Sequence, residues 1–317
     1  MVCHNCQAQA RKAGRDRYGR QRFKCRVCRR YSTEPRTSPL GDMRLPTEKA
    51  LLVLNLLAEG SSARSISRVT GVHKSTILKL LVQVGEQCAR LLENQIQGFQ
   101  AGHVEIDELW TYIQAKQRTC ARKGLDLEFG DSYTFLGIDE TSKLLISWHV
   151  GRRTVEDAHD FLRKLARATD GRFQLSSDQW QGYLSTVDYQ LGARVDYAQI
   201  RKEFANAAGE EARRYAPPRL LSMEKVLVSG SPDGARASTS HVERANWTVR
   251  TDLRRFTRLS NGFSRRRRNL RAAVALWACY YNFCKTHTTV RMPPAMKAGI
   301  TSRPWKMADL LEAAAAS

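Results

Sequence analysis

The chain has 317 residues, of which 52 are Lys or Arg and 31 are Asp or Glu, so its formal net charge is +21. A hydrophobic fraction of 42% excludes a wholly disordered chain, and no apolar run reaches the roughly 18 residues of a membrane-spanning helix. The excess positive charge predicts a polyanionic partner, and we favour nucleic acid over a merely charged surface or an anionic membrane. The N-terminus shows no apolar segment of a secretory signal, so we expect a cytoplasmic protein with reduced cysteines.

Two CxxC pairs near the N-terminus are separated by eighteen residues, and their cysteines are Cys3, Cys6, Cys25 and Cys28. Four thiolates on two tight turns match the tetrahedral coordination of structural zinc. The alternatives are two unrelated structural pairs or two disulfides. His4 is not expected to be a ligand, because four sulfurs complete the coordination shell. We therefore predict a zinc-ribbon-like DNA-binding module over residues 1–35.

Residues 47–98 show helical periodicity that is interrupted by glycines. A first helix ends at Gly60, Ser61 or Ser62 can cap a second helix, and Gly71 provides the turn into a third. This order predicts a helix-turn-helix DNA-binding domain, although a plain three-helix bundle has a similar pattern. The side chains expected to face DNA lie at the start of the third helix: His73, Lys74, Ser75, Thr76 and Lys79.

Residues 102–285 alternate between strand and helix patterns, beginning with a strand over 103–114. Two further strands follow, then an amphipathic helix that Thr154 can cap, then a strand, a helix and a strand. This order predicts an α/β domain with a mixed sheet and helices packed on it.

Two aspartates fall where strands of this sheet present side chains. Asp107 lies on the first strand and Asp178 directly follows the fourth, so the two carboxylates meet if these strands are neighbours. Close carboxylates repel each other unless a cation compensates, and Mg²⁺ prefers such oxygen ligands. Glu105 shares the face of Asp107, and Glu108 is a possible neighbouring ligand. Asp139 competes with Asp178, but it opens a hairpin turn that favours aspartate for backbone reasons.

A third acid is expected on a long helix over residues 238–259. Glu243 lies near the start of this helix, and a set of mostly basic residues follows on the same face: Trp247, Arg250, Arg254 and Arg258. The alternative for Glu243 is a capping box with Ser240, since the sequence reads S-x-x-E.

Aromatic and basic side chains accompany the proposed acids. Trp110, Trp180 and Tyr183 can stack on opened DNA bases, or they can pack a helix on the sheet. The run that contains Arg265 and Arg266 favours a DNA phosphate track over a solvated charged surface.

Several stretches of the sequence resemble those of a known family. The stretches GRQRFKCRVC, EIDELWTYI, VGRRT, SDQWQGY and HVERANWTVRTDLRRFTRLSNGFSR look like those of the DDE transposases of bacterial insertion sequence one and its fused, single-frame relatives. The resemblance covers most of the chain. It implies a core similar to ribonuclease H, a bacterial or archaeal nucleoid-associated protein, and metal binding by Asp107, Asp178 and Glu243.

We therefore expect a transposase that binds the terminal inverted repeats of an insertion sequence and target DNA as double strands. Two Mg²⁺ (or Mn²⁺) ions would support phosphodiester hydrolysis and then transesterification, in a homo-oligomer that is at least a dimer. The alternatives are a metal-dependent nuclease without strand transfer and a zinc-containing DNA-binding repressor with a non-catalytic central domain. Roles for residues 201–237 and the C-terminal tail, 286–317, stay open.

Overall fold

The computed structural model describes residues 1–17, 19–34, 39–205, 219–257 and 260–317. The chain forms two compact units, Met1–Thr47 and Glu48–Ser317. The predicted domain limits, 1–35, 47–98, 102–285 and 286–317, stay predictions. Within the described ranges, no helix has the length and apolar character that crossing a membrane requires.

The first unit contains a small antiparallel sheet. Its strands are β1 (Ala10–Arg15), β2 (Gln21–Cys25) and β3 (Tyr31–Thr33), in that spatial order. The ring of Tyr31 lies under two cations, with Arg22 at 4.7 Å and Lys24 at 5.1 Å from its centroid. Cys25 is the last residue of β2, and Cys28 lies on the turn that follows, so this strand positions the second cysteine pair.

Three helices open the second unit: α1 (Thr47–Ala58), α2 (Ala63–Thr70) and α3 (Lys74–Gln95). Ser62 caps α2, since its side chain accepts a hydrogen bond from the backbone N–H of Ser65. Gly71 ends α2 in the left-handed conformation at φ 71°, where a side chain would be strained. The predicted helical pattern is confirmed here, and its reading as a DNA-binding domain stays a prediction.

Most of the second unit is built around a mixed sheet of six strands among the described residues, in the spatial order β11-β10-β9-β5-β6-β7. The strands β5, β6 and β7 are antiparallel neighbours, whereas β9 runs parallel to β5, β10 runs parallel to β9, and β11 is antiparallel to β10. A two-stranded pair, β4 with β8, lies outside it. The bounds are β4 (Phe99–Gln100), β5 (His103–Ile113), β6 (Gly130–Asp139), β7 (Leu145–Gly151), β8 (Thr169–Asp170), β9 (Phe173–Asp178), β10 (Val195–Ala205) and β11 (Arg219–Ser229). The predicted mixed α/β class is therefore confirmed.

Helices flank this sheet and connect its strands. Their bounds are α4 (Gln117–Lys123), α5 (Val155–Ala168), α6 (Gly182–Gln190), α7 (Ser240–Asp252), α8 (Arg267–Cys279), α9 (Pro294–Lys297) and α10 (Met307–Ala316). Short 3₁₀ turns cover Gly192–Arg194 and Arg254–Phe256, and a π-helical turn covers Tyr280–Cys284. Thr154 caps α5 as predicted, with its hydroxyl accepting a hydrogen bond from the N–H of Asp157. The C-terminal tail joins the core, because Leu310 and Leu311 of α10 are fully buried.

One expectation about local structure needs correction, and one region left open is partly described. Within residues 201–237, β10 continues to Ala205 and pairs with β11, which ends at Ser229. Residues 230–237 form no helix or strand, and residues 206–218 lie outside the described residues. The helix expected over 238–259 ends at Asp252. The buried carboxylate of Asp252 accepts hydrogen bonds from Trp277 Nε1 and from Lys285 Nζ, and these tertiary contacts outweigh the local helical pattern.

The close packing of α3 on α8 depends on Gly85. A Cβ atom at this position would lie 2.4 Å from the carbonyl oxygen of Ala272, which belongs to the facing helix backbone. We expect Gly85→Ala to destabilise the protein by about 1–3 kcal/mol, because overpacking outweighs the better helix propensity of alanine. Urea denaturation measures this change. Asn94→Ala, on an exposed position of α3, is the control, and an equal effect of the two substitutions would contradict the packing interpretation.

Candidate active site

Three carboxylates converge where β9 ends beside the middle of β5. Asp107, Glu108 and Asp178 each offer one oxygen atom, and these three atoms lie within 4.8 Å of one another. The cause is the parallel pairing of β5 with β9, in which Glu105 stands opposite Ser176. Continuing that register by two residues brings Asp107 opposite Asp178. The structure therefore brings together two of the three predicted acids.

Asp107 is oriented by two hydrogen bonds. Its Oδ1 atom accepts from the N–H of Glu108 at 2.8 Å, and its Oδ2 atom accepts from the side-chain amide of Asn246 at 2.7 Å. Asn246 lies on α7 and is buried, so this bond ties the helix to the strand that carries the acid. Sequence reasoning missed Asn246, although it stands three residues after Glu243 and thus on the same side of the helix.

Arg153 holds the other two carboxylates. Its guanidinium lies 3.0 Å from Asp178 Oδ2 and 3.3 Å from Glu108 Oε2. The same group lies 5.1 Å above the ring of Trp180, and the backbone N–H of Trp180 donates to Asp178 Oδ1. The Arg153 guanidinium therefore forms ion pairs with two of the three carboxylates. In the sequence, Arg153 lies in the stretch VGRRT at the end of a predicted strand. This stretch is part of the family resemblance, which implied no role for its arginines.

Burial and repulsion by neighbouring carboxylates raise the pKa values of Asp107 and Glu108. Burial raises the pKa of Asp107 to about 7, and the neighbouring charge of Asp178 adds to the increase. Burial also raises the pKa of Glu108 to about 8; the charge of Asp178 again adds to the increase, and Arg153 opposes it. Near neutral pH the cluster therefore retains protons, which a bound cation would displace.

These shifts predict how stability depends on pH. In buffer without divalent metal, the unfolding free energy should fall between about pH 5 and about pH 8, because the folded protein keeps protons that the unfolded chain has released. Glu108→Gln should reduce this fall by on the order of 2 kcal/mol, as measured by urea denaturation across the pH range. Asp160→Asn, at an exposed acid of α5, should leave the profile unchanged. Parallel profiles for wild type and Glu108→Gln would contradict the prediction.

Glu243, the third predicted acid, lies outside this three-carboxylate cluster. Its half-exposed side chain pairs with Lys202 of β10 and accepts a hydrogen bond from the hydroxyl of Thr239. Its charge nevertheless contributes to the raised pKa of Asp107, so the two carboxylates influence each other. Glu108, which the sequence suggested only as a neighbouring ligand, takes the third position beside Asp107 and Asp178.

The alternative of a capping box between Ser240 and Glu243 is wrong. The hydroxyl of Ser240 accepts from Ser238, and Thr239, the N-cap residue, makes no side-chain capping bond. The hydroxyl of Ser238 accepts from the N–H of Ser240, and the buried carboxylate of Glu105 accepts from the next two backbone N–H groups, those of His241 and Val242, at 2.7 and 3.0 Å. His241 adds a side-chain contact to the same carboxylate at 2.8 Å. Glu105 thus anchors the helix that presents Glu243 and Asn246.

The other competing acid has a structural role. Asp139 Oδ2 accepts from both the backbone N–H and the hydroxyl of Ser142, each at 2.7 Å. Its side chain is buried in the turn between β6 and β7. The interpretation of Asp139 as a turn residue is therefore supported.

The four N-terminal cysteines form a second cluster that can hold a metal ion. One Sγ atom from each lies within 4.8 Å of the others, and none of the four is disulfide-bonded. The backbone N–H groups of Cys28 and Val27 point at Cys25 Sγ, each at 3.4 Å, and these contacts lower the pKa of the Cys25 thiol to about 6. His4 is exposed and stands outside this cluster. The expected four-cysteine cluster is present.

The residues predicted to contact DNA occupy two parts of the second unit. At the start of α3, Thr76 is half-buried and the others are exposed: His73, Lys74, Ser75 and Lys79. Arg250 is half-buried and donates to the carbonyl of Phe256. The expectation of one arginine face on a single helix is wrong because the helix ends at Asp252. Exposed side chains after that end are Arg254, Arg265 and Arg266, and Arg258 lies outside the described residues.

The three aromatic residues predicted to lie beside the acids differ in how deeply they are buried. Tyr183 is fully buried, with its ring centroid 5.0 Å from that of Trp180. Trp180 also packs at 6.1 Å from Phe135 of β6, which supports core packing as its main role. Trp110 is half-buried, and Lys116 lies 5.8 Å over its ring.

Comparisons with known proteins give little beyond this geometry. No protein-family profile and no curated protein matches the chain. One solved structure that resembles it is the cryo-EM structure of a piggyBac transposase synaptic complex with hairpin DNA. The likeness has 8% sequence identity and a TM-score of 0.36, and covers 83% of this chain and 69% of that chain. This degree of similarity is too low to establish a shared fold. The interpretation of the site therefore depends only on the contacts within this chain.

Proposed function

We propose that this protein is a DDE-type transposase that cuts and joins DNA strands at the ends of an insertion sequence. The observation that carries the proposal is the convergence of Asp107, in the middle of β5, with Asp178, at the end of β9, in a chain of net charge +21. The strand order supports it. Three antiparallel strands followed by two strands parallel to the first, β5, is the arrangement of ribonuclease H-like cores.

The acidic site suits a hard divalent cation such as Mg²⁺ or Mn²⁺. Its ligands are carboxylate oxygens, and the mutual repulsion of Asp107 and Asp178 is of the kind that a cation relieves. Glu108 Oε1 is buried, and the interaction of the Glu108 carboxyl with the neighbouring Tyr183 hydroxyl partly opposes the rise in its pKa; a bound cation would offer this oxygen a stronger partner. Two such ions, when bound, stabilise charge on the attacking and leaving oxygens of a phosphodiester.

The remaining side chains position the acids. Asn246 fixes the orientation of Asp107, and Arg153 balances the charge of Asp178 and Glu108. Glu243 joins the metal ligands if it exchanges its ion pair with Lys202 for a cation. We propose Asp107, Asp178 and Glu243 as the catalytic set, with Glu108 as an additional ligand.

The basic elements recognise double-stranded DNA in this proposal. The four-cysteine cluster binds structural zinc and, with the helix-turn-helix over 47–98, contacts the terminal inverted repeats. The exposed side chains at the start of α3 are the base-reading candidates: His73, Lys74, Ser75 and Lys79. Two ends are cut in concert, so the active form is at least a homodimer acting on the nucleoid in the cytoplasm.

A cleavage and joining assay tests the proposal. The full chain is incubated with duplexes that carry the flanking inverted repeats, and with pre-cut 3′-OH ends plus plasmid DNA, with and without Mg²⁺. We expect Mg²⁺-dependent cutting and joining. Cutting without joining would identify a nuclease, and end binding without any scission would identify a repressor.

The third catalytic acid is tested by a pair of isosteric variants. We expect Glu243→Gln to lower cleavage by about a hundredfold or more, because a metal ligand loses its charge. Glu108→Gln should have a smaller effect, of about tenfold, as it removes only an additional ligand. Single-turnover cleavage in Mg²⁺ measures both rates. The reverse ranking would make Glu108 the third member of the set and return Glu243 to a structural role.

A further inference from the structure

A cavity of about 720 Å³ in the second unit has a strongly basic lining. Its walls come from the end of α1, the start of α2, the first turns of α3, and residues within 253–255 and 261–277. Five of its lining residues are cationic: Arg64, Lys74, Arg254, Arg255 and Arg265. None of the described residues that line it is acidic. Such an uncompensated concentration of positive charge favours an anionic ligand.

Arg255 is the most informative of these cations. Its guanidinium donates to the hydroxyl of Ser264 at 2.7 Å, and it forms no ion pair with any acid in the described parts of the chain. Arg255 as a whole residue is half-buried, and the burial of its guanidinium lowers its pKa to about 10. A shielded charge that lacks an acidic partner is unfavourable, and an entering phosphate would compensate it.

The cavity also has an apolar wall that includes Leu78, Phe263 and Trp277. The Phe263 ring is half-buried and lies 5.0 Å from the ring of Tyr112, which in turn lies 5.8 Å from Trp110. Trp110 and Tyr112 follow Glu108 at every second position of β5, and therefore on the same face of the strand. An aromatic row thus runs from the acidic cluster to the basic cavity.

We propose that this cavity binds the nucleotides of a single DNA strand that runs along the aromatic row from the acidic cluster, an inference that extends the proposed function. Arg254, Arg255 and Arg265 bind the backbone phosphates, and Phe263 offers its face to a base. The volume lies within the range of small-ligand sites, which suits one or two nucleotides and is too small for a duplex. The site therefore selects an opened or single-stranded end.

The test uses fluorescence anisotropy of a labelled oligothymidylate of about 12 nucleotides, without added divalent metal so that nothing is cut. The double variant Arg254→Gln/Arg265→Gln should raise the dissociation constant about tenfold or more, because two charge-assisted contacts are lost. Both side chains are exposed, so the fold should persist. The matched control, Arg122→Gln/Lys123→Gln on α4, removes the same charge at exposed positions outside the cavity and should change the constant by less than about twofold.

A second variant separates stacking from charge. Phe263→Leu should weaken binding of the oligothymidylate about tenfold and leave binding of an oligo(dA)·oligo(dT) duplex of the same length unchanged. Equal losses for the two double variants, or equal losses on single strand and duplex, would overturn the proposal in favour of a diffuse basic surface. Competition by adenosine monophosphate at micromolar concentration would overturn it in favour of a free-nucleotide site.

This test is independent of catalysis. If the wild type binds the oligothymidylate through the cavity but cuts no DNA, the proposed transposase function fails and the cavity assignment stands. If the wild type cuts and joins DNA while the cavity variants bind normally, the cavity assignment fails and the proposed function stands.

Discussion

Asp178→Asn is expected to reduce Mg²⁺-dependent strand cleavage by roughly a thousandfold or more. Asp178 ends β9 beside Asp107 and Glu108, where its charge contributes to the site that would hold the cation. The amide is isosteric but neutral, so cation affinity falls while the strand end keeps its shape. Single-turnover cleavage of an end duplex measures the rate, and the same loss is expected for Asp107→Asn.

End binding by these variants should remain within about twofold of wild type, since the predicted DNA-reading residues lie on α3 and not on the sheet. Asp160→Asn, at an exposed acid on α5, is the matched control and should cut at the wild-type rate. Mg²⁺ should raise the melting temperature of wild type and not that of Asp178→Asn. Cleavage by Asp178→Asn near the wild-type rate would refute the metal assignment.

Loss of the four-cysteine site is expected to abolish specific end recognition. Cys25 ends β2, and its thiol receives two backbone N–H groups beside the other three sulfurs. Cys25→Ser should remove bound zinc and unfold a unit whose own core is small, because metal binding supplies much of the folding free energy of such modules. The specific affinity for end DNA should then fall by about a hundredfold, toward the non-specific level.

Zinc content by atomic absorption and footprints on end DNA measure this effect in the full-length protein. Cys284→Ser, at a half-buried cysteine outside the cluster, should retain zinc and the footprint. An unchanged footprint for Cys25→Ser, with zinc lost, would show that the cysteine module has no part in recognition.

The local patterns of the sequence were sufficient for the main elements. Alternating apolar residues predicted β5, and the helix after Thr154 and the turn at Gly71 follow from capping rules that involve neighbouring residues only. The expected meeting of Asp107 and Asp178 needed only the position of Asp107 on one strand, the position of Asp178 at the end of another, and one assumption, that these strands are neighbours. Local rules succeed here because the residues that interact are close in sequence or obey a simple sheet geometry.

The sequence by itself therefore determined the class of fold, the four-cysteine cluster and two of the acids. Only the tertiary structure decided which groups surround them. Glu105 accepts hydrogen bonds from α7 from 136 residues away, Asn246 donates to Asp107 across 139 residues, and Glu243 pairs with Lys202 outside the cluster. Such contacts arise from the packing of a helix on a sheet, and the hydrophobic periodicity of the sequence does not predict them. The free energy of burying and pairing charges is set by neighbours in space, and these become known only when the chain has folded.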